Sequence, residues 1–215
     1  SIWGEIKKSG RSGFLGESVK KLKKEKTNIL PNFTKRSRAY LEIQNGCNHS
    51  CTFCIIPQGR GLSKSVPMDT ILEKIRNLVH KGFKEIVLTG VDITCWGSDI
   101  AGNDKLGDLV NKILNEIPDL PRLRLSSLDV SEMDDNLLHV FKTNKRMMPH
   151  LHLSLQSGNN LILKRMKRRH SREQAIDLCR NLKAVRPELT FGADLIAGFP
   201  TESDTMFLDT IKLVD

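Results

Sequence analysis

Gly46-Cys47-Asn48-His49-Ser50-Cys51-Thr52-Phe53-Cys54 spaces three cysteines as C-x3-C-x2-C. Gaps this short bring three sulfurs onto one loop, where disulfide geometry among them is poor. Three thiolates on one loop suit a metal centre with one position left open. Soft thiolate ligands select iron–sulfur clusters, zinc or copper. Structural zinc takes four ligands, and the stretch offers the three cysteines plus His49. A 4Fe-4S cluster held by three cysteines leaves one iron free for chemistry. Unligated cysteines packed as small apolar groups are the plain alternative.

The flanks place this loop in a repeating pattern. Over 38–44 polar and apolar residues alternate, with Ala39, Leu41 and Ile43 on one side, so a strand leads into the loop. A helix is expected over about 68–81, opened by Pro67 and Asp69 and striped by Ile71, Leu72, Ile75, Leu78 and Val79. A strand follows over 85–89, ending at Gly90. The next helix carries Leu106, Leu109, Val110, Ile113, Leu114 and Ile117, and Pro118 and Pro121 end it. Further strands are expected over 122–126, 150–156 and 190–196. Between them lie a short helix with Leu137, Leu138 and Phe141 and a longer one over 171–185, closed by Pro187. A last helix starts near Thr201-Glu202.

Strand–helix units in series predict an α/β fold, a parallel sheet with helices outside. Strands buried on both faces are apolar throughout. These strands are not. With their apolar set against the helices, the other face carries Glu42, Gln44, Arg124, Ser126, His152, Ser154, Gln156 and Asp194. Branched aliphatics would fill a packed barrel core. The polar set implies a concave, wet interior that takes a polar ligand, although residues at strand ends can also satisfy one another.

The chain has 215 residues, 39% hydrophobic and 27% charged, enough for one sizeable domain. No stretch approaches the roughly 20 apolar residues of a membrane span, and no secretory signal opens the sequence. Five cysteines, a clustered trio plus Cys95 and Cys179, argue against a disulfide framework and for a reducing compartment, the cytoplasm. Cys179 reads as helix core. The net charge of +9 suits a polyanion such as RNA. Residues 1–37 hold Gly4, Gly10, Gly13 and Gly16 and the lysine-rich run 20–26, without a sustained period. They read as a linker or the remnant of an upstream domain. The lysines read as a solvated face.

C-x3-C-x-aromatic-C resembles the signature of the radical S-adenosylmethionine enzymes. The wider run, from Ile43-Gln44-Asn45-Gly46-Cys47 through Cys54-Ile55-Ile56-Pro57 to Arg60-Gly61, resembles their methylthiotransferase branch. The likeness covers about residues 36–215. It implies a partial (β/α)6 barrel, truncated here after about the fifth strand–helix unit, with 38–215 as an incomplete core domain. It implies a 4Fe-4S cluster on Cys47, Cys51 and Cys54, whose fourth iron chelates S-adenosylmethionine. One electron would then release a 5′-deoxyadenosyl radical, the cofactor carrying the chemistry and the protein positioning it. A second 4Fe-4S cluster is expected in an N-terminal domain not in this sequence. tRNA is the implied partner, with an electron donor such as flavodoxin or ferredoxin, and no membrane.

The same likeness assigns site residues. Phe53 would lie beside the adenine. Gly90 ends the second strand where other branches have a Gly-rich turn, a form this chain lacks. Ser154-Leu155-Gln156-Ser157-Gly158 matches a fourth-strand motif, with Gln156 toward the ribose or amino-acid end. Met166-Lys167-Arg168 matches a Met-x-Arg pattern, with Arg168 as a bidentate carboxylate clamp. The rest of the basic run 164–169 reads as a solvated or RNA-facing patch. In 193–200, Ile196 would pack on adenine, Gly198 allow close approach, and Asp194 meet the cofactor or the target base. Arg124-Leu125-Ser126-Ser127-Leu128 and 152–158 resemble the subgroup that methylthiolates carbon 2 of N6-threonylcarbamoyladenosine at position 37 of tRNA. Action on isopentenyladenosine-37, a small-molecule radical enzyme, and a non-catalytic metal-bearing RNA-binding module are the alternatives.

Overall fold

The computed structural model describes residues 37–214. The expected linker or upstream remnant lies outside them, apart from Ser37. Strand β1 (Arg38–Asn45) runs into the cysteine loop. A single turn, α1 (Ile56–Arg60), and a two-residue strand, β2 (Lys64–Ser65), follow it. Then come α2 (Met68–His80), β3 (Glu85–Gly90), α3 (Leu106–Glu116), β4 (Arg122–Leu125) and β5 (Ser127–Leu128). After them stand α4 (Asp135–Thr143), β6 (His150–Gln156), α5 (Asn160–Arg165), α6 (Arg172–Val185), β7 (Thr190–Leu195) and α7 (Asp204–Val214).

β1, β3 and β4 pair in parallel, with β2 antiparallel at the free edge of β1, and β5, β6 and β7 form a second parallel set. The two sets are stitched together. The Ser126 amide donates to the Leu88 carbonyl at 3.0 Å, and the Met148 amide to the Leu123 carbonyl at 2.8 Å. Leu123 also bridges in parallel to Met147. Successive parallel strands are thus neighbours around one curled surface, the expected partial barrel. The carboxyl ends of these parallel strands lie on one rim, because parallel crossovers return each strand in the same sense.

The outward strand residues Leu41, Ile43, Ile86, Leu88, Leu123, Leu125, Leu151 and Leu153 are buried against Ile71, Ile75, Leu109, Ile113, Phe141 and Leu182 of the helices. Each side chain so buried contributes about 1.5–3 kcal/mol. Local signals set the helix starts. The Asp134 carboxylate accepts the Leu137 amide at 2.9 Å and starts α4. Ser171 and Gln174 form a reciprocal capping box on α6.

The structure departs from the periodic reading in particular places. The third strand does not run unbroken to Ser126; it splits there, where the sheet turns its corner. α1 and β2 are too short to show a period. α5 is capped by Asn159, whose Oδ1 accepts the Leu161 and Ile162 amides, a cap visible in the sequence as the first Asn of Asn159-Asn160 ahead of Leu-Ile-Leu. α7 starts later than Thr201, because the Glu202 carboxylate turns back to accept the Gly198 amide at 2.6 Å.

The inner face is polar, as expected, but part of it satisfies itself. Glu85 is buried at the start of β3 and receives Arg38 and Arg124 at 2.8 Å each and Arg122 at 3.3 Å. Arg124 is therefore tied to the base of the sheet rather than free for a ligand. Burial works against the Glu85 carboxylate, but Arg124 and then Arg38 hold it below the usual carboxylate range. A lowered carboxyl stabilises the fold above its unfolded value and loses that stabilisation as pH falls through the folded one. Glu85→Gln is expected to cost about 1–3 kcal/mol in urea denaturation at neutral pH. The difference from the parent chain should shrink as the pH of the titration is lowered below that carboxyl's range.

Candidate active site

The cysteine loop is held from both sides. Gly46 opens it with φ +76°, and a Cβ there would lie 2.1 Å from the Leu62 carbonyl oxygen, so only glycine fits. Gln44, one residue inside the end of β1, is fully buried. Its Nε2 donates to the Gly46 carbonyl at 2.8 Å and to Ser63 Oγ at 2.9 Å. Its Oε1 accepts the Val91 amide at 3.1 Å and the Asp92 amide at 2.8 Å. This amide braces the loop against the turn after β3 and is not a ligand contact. On the far side, Thr52 donates its amide to Met166 O at 3.3 Å and its hydroxyl to Arg165 O at 3.0 Å.

One cleft at the carboxyl rim brings together Cys47, Cys51, Phe53, Cys54, Gln156 and Arg168. Gln156 ends β6 in the left-handed region, with φ 70°. Lys167 is also left-handed, φ 57°, and turns the chain after α5 so that Arg168 faces the cleft. Arg168 is 8% exposed. Its Nη2 donates to Asp129 Oδ2 at 2.9 Å and Ser154 O at 2.6 Å. Its Nη1 stands 3.7 Å from Cys51 Sγ, and its Nε is buried without a partner. Burial raises the Asp129 carboxyl, but Ser131, Arg168 and Arg169 outweigh it and hold it low. Arg169, expected on a solvated or RNA-facing patch, pairs instead with Asp129 at 2.9 Å and with Glu132.

Four expected residues lie outside the lining of this cleft. Gly90 precedes it, and the close approach there is to Gln44, whose carbonyl oxygen would meet a Cβ at 2.5 Å. Ile196 sits beside it, its amide donating to the Gln156 carbonyl at 2.9 Å. Asp194 is 88% exposed, 3.6 Å from His152 Nε2. Gly198 is left-handed, φ 74°, and bonds Glu202. The lining also includes His49, Ile56, Val91, Asp92, Asp129 and Ser154. Asp92 and Asp129 each follow closely on a strand end, and ligand crevices of parallel sheets form at that edge. That position was the signal for them.

The donor set fits a cluster better than a single ion. The described side chains whose ligand atoms gather within 4.8 Å are His49, Asp92, Cys95 and Glu132, and the three loop cysteines are not among them. The wider spacing of those sulfurs leaves room for a larger group. His49 is turned to Asp92 at 2.9 Å, so the cysteines do not have it as a fourth zinc ligand. Burial first, and the neighbouring Asp92, push the Cys47 thiol up to about 11. A metal would have to displace that proton.

A three-cysteine loop on the carboxyl rim of a curled parallel sheet defines a class of cofactor-dependent α/β enzyme. The Radical SAM superfamily profile matches residues 41–214, and the chain belongs to that superfamily. Membership implies a 4Fe-4S cluster and S-adenosylmethionine. The chain is 49% identical over 196 residues to threonylcarbamoyladenosine tRNA methylthiotransferase MtaB of Rickettsia prowazekii, covering 91% of this chain and 47% of that protein. MtaB of Bacillus subtilis is 37% identical, covering 86% of this chain and 41% of that protein. The tRNA-2-methylthio-N(6)-dimethylallyladenosine synthase of Shouchella clausii is 38% identical, covering 84% and 34%. The chain thus spans less than half the length of these relatives. Among solved structures, TsrM of Kitasatospora setae, a radical S-adenosylmethionine methyltransferase, superposes with TM-score 0.66 at 16% identity, covering 83% of this chain and 34% of that chain.

Gln44→Leu keeps the volume but strands the Val91 and Asp92 amides. It is expected to cost about 1–3 kcal/mol. Amide exchange should quicken across 46–63 and 91–95 and stay unchanged in β6, measured by hydrogen–deuterium exchange mass spectrometry.

Proposed function

We propose that this chain carries the radical-generating site of an enzyme that methylthiolates carbon 2 of N6-threonylcarbamoyladenosine at position 37 of tRNA. The observation that carries the chemistry is the meeting of Cys47, Cys51, Cys54, Gln156 and Arg168 in one cleft. The choice of substrate rests on the likeness to MtaB, 49% against 38% for the dimethylallyladenosine enzyme.

Cys47, Cys51 and Cys54 would each hold one iron of a 4Fe-4S cluster. Such a cluster supplies the electron that cleaves the sulfonium bond of S-adenosylmethionine. The remaining work belongs to the chain. Arg168 would clamp the cofactor's carboxylate through Nη1, which stands beside Cys51 Sγ. Asp129 keeps that guanidinium aimed. Gln156 would bond the polar ribose or amino-acid end. Phe53, 41% exposed, would cover the adenine with Ile196, while Gly90 and Gly198 would offer backbone to the cofactor. Asp194, 88% exposed beside His152, would meet the cofactor or the target base. Closing the cleft over these groups would keep water from the radical.

A second 4Fe-4S cluster, as sulfur source, would belong to an N-terminal domain, with 38–215 as the core domain and 1–37 as a linker or a remnant of that domain. The net charge of +9 supports tRNA as partner. Flavodoxin or ferredoxin would deliver the electron, in the cytoplasm. Among the described residues no helix is long and apolar enough to cross a membrane.

Nucleoside mass spectrometry of tRNA from cells lacking the gene tests this reading. Methylthiolated threonylcarbamoyladenosine should vanish and its unmodified precursor accumulate. Loss of methylthio-isopentenyladenosine instead would move the substrate to the other branch, and unchanged nucleosides would contradict both. The chain alone, anaerobically loaded and reduced, should release 5′-deoxyadenosine and form no methylthio product. Arg168→Lys should weaken S-adenosylmethionine binding about tenfold or more in equilibrium dialysis.

A further inference from the structure

Cys95 plays no part in the three-cysteine site, yet it is not idle. It lies in the one-turn 3-10 helix Ile93–Cys95 after β3. Its Sγ is 3.4 Å from His49 Nε2 and 3.1 Å from Glu132 Oε2. His49 Nε2 is in turn 2.9 Å from Asp92 Oδ2 and 3.5 Å from Glu132 Oε1. The four ligand atoms all lie within 4.8 Å of one another. We propose that His49, Asp92, Cys95 and Glu132 form a second metal site, for a single divalent ion of the zinc class, beside the cysteine loop.

The geometry favours four-coordination. Zinc bonds of about 2.0–2.3 Å set tetrahedral edges of about 3.3–3.8 Å. The separations of 2.9, 3.1 and 3.4 Å between the donor atoms lie at those edges or up to about 0.4 Å inside them, so a bound ion would spread the donors slightly. The donor chemistry narrows the ion. One imidazole, one thiol and two carboxylates suit zinc or a similar borderline ion, whereas calcium and magnesium take oxygen ligands.

Both carboxylates are also supported from outside. Asp92 Oδ1 accepts the Thr94 hydroxyl at 3.0 Å, leaving Oδ2 to the site. Glu132 Oε1 takes the Arg169 guanidinium, leaving Oε2 beside the sulfur. Ligating carboxylates are commonly oriented by such partners. Cys95 and Glu132 also line an open cleft with Trp96 and Lys105, a path by which an ion can enter.

The ion would tie together three successive segments: the cysteine loop through His49, the turn after β3 through Asp92 and Cys95, and the turn after β5 through Glu132. Asp92 Oδ2 also stands 3.6 Å from Cys47 Sγ, so the site abuts the first cluster ligand. Binding would release the Cys95 proton to solvent and form one metal–sulfur bond.

Cobalt(II) reports such a site without any turnover. The full chain carrying Cys47→Ser, Cys51→Ser and Cys54→Ser should titrate with one cobalt. It should show the near-ultraviolet thiolate-to-cobalt band of a single sulfur, strong visible absorption of a four-coordinate ion, and displacement by zinc. Adding Cys95→Ser should abolish the thiolate band, and Glu132→Gln should weaken cobalt about tenfold or more. A folded triple variant with no thiolate band, or a band that survives Cys95→Ser, would overturn the site and leave only a hydrogen-bonded cluster. Should the triple variant not fold, the parent chain loaded with iron and sulfide and then zinc should retain one zinc per chain after dialysis, lost in Cys95→Ser. No zinc, or zinc unaffected by that change, would overturn it equally.

Discussion

The site depends on one buried side-chain amide. Gln44 has two donors and two acceptor lone pairs, and all are used, between the end of β1, Ser63 and the turn after β3. Without it the first two parallel strands would still pair, but the loops they launch would have no common reference. A buried amide with every bond made is rigid, and one with a bond missing is costly. That asymmetry fixes the position of Cys47 relative to Asp92. Gly46 completes the constraint, because no side chain fits where the loop passes Leu62.

Charge organises the other half of the cleft. Asp129, at the end of β5, gathers Arg168 and Arg169 on one oxygen, and Ser131 donates to its other oxygen. Arg168 is thereby held close to Cys51, its Nη1 3.7 Å from the sulfur. Arg169 continues the chain of pairs to Glu132. The cysteine loop, the end of β5 and the segment after α5 thus share one electrostatic network. Glu85 forms a separate network at the opposite end of the sheet. The polar inner face therefore has two uses: ion pairs at its base, and a ligand cleft at its rim.

Much of this was legible in the chain. The alternation of His150 to Gln156 placed Ser154 and Gln156 on the inner face, and both line the cleft. The cysteine spacing and the Met166-Lys167-Arg168 pattern located opposite walls of it. Arg124 and Gln44 belong to the inward polar set but are satisfied by the protein, because Glu85 and the Asp92 amide lie far away in sequence and only the fold brings them close. Asp129 carries no motif of its own; its importance comes from two arginines about forty residues later. The link between His49, Cys95 and Glu132 was hidden for the same reason. Periodicity reports which face a residue is on, and never which residue waits opposite.

Electron paramagnetic resonance of the anaerobically loaded, reduced chain tests the central claim most directly. A cluster on Cys47, Cys51 and Cys54 with an open iron should give a 4Fe-4S signal whose g values shift when S-adenosylmethionine is added. The shift should be lost with Arg168→Ala. A chain that takes up no iron, or a cluster signal indifferent to S-adenosylmethionine, would contradict the account.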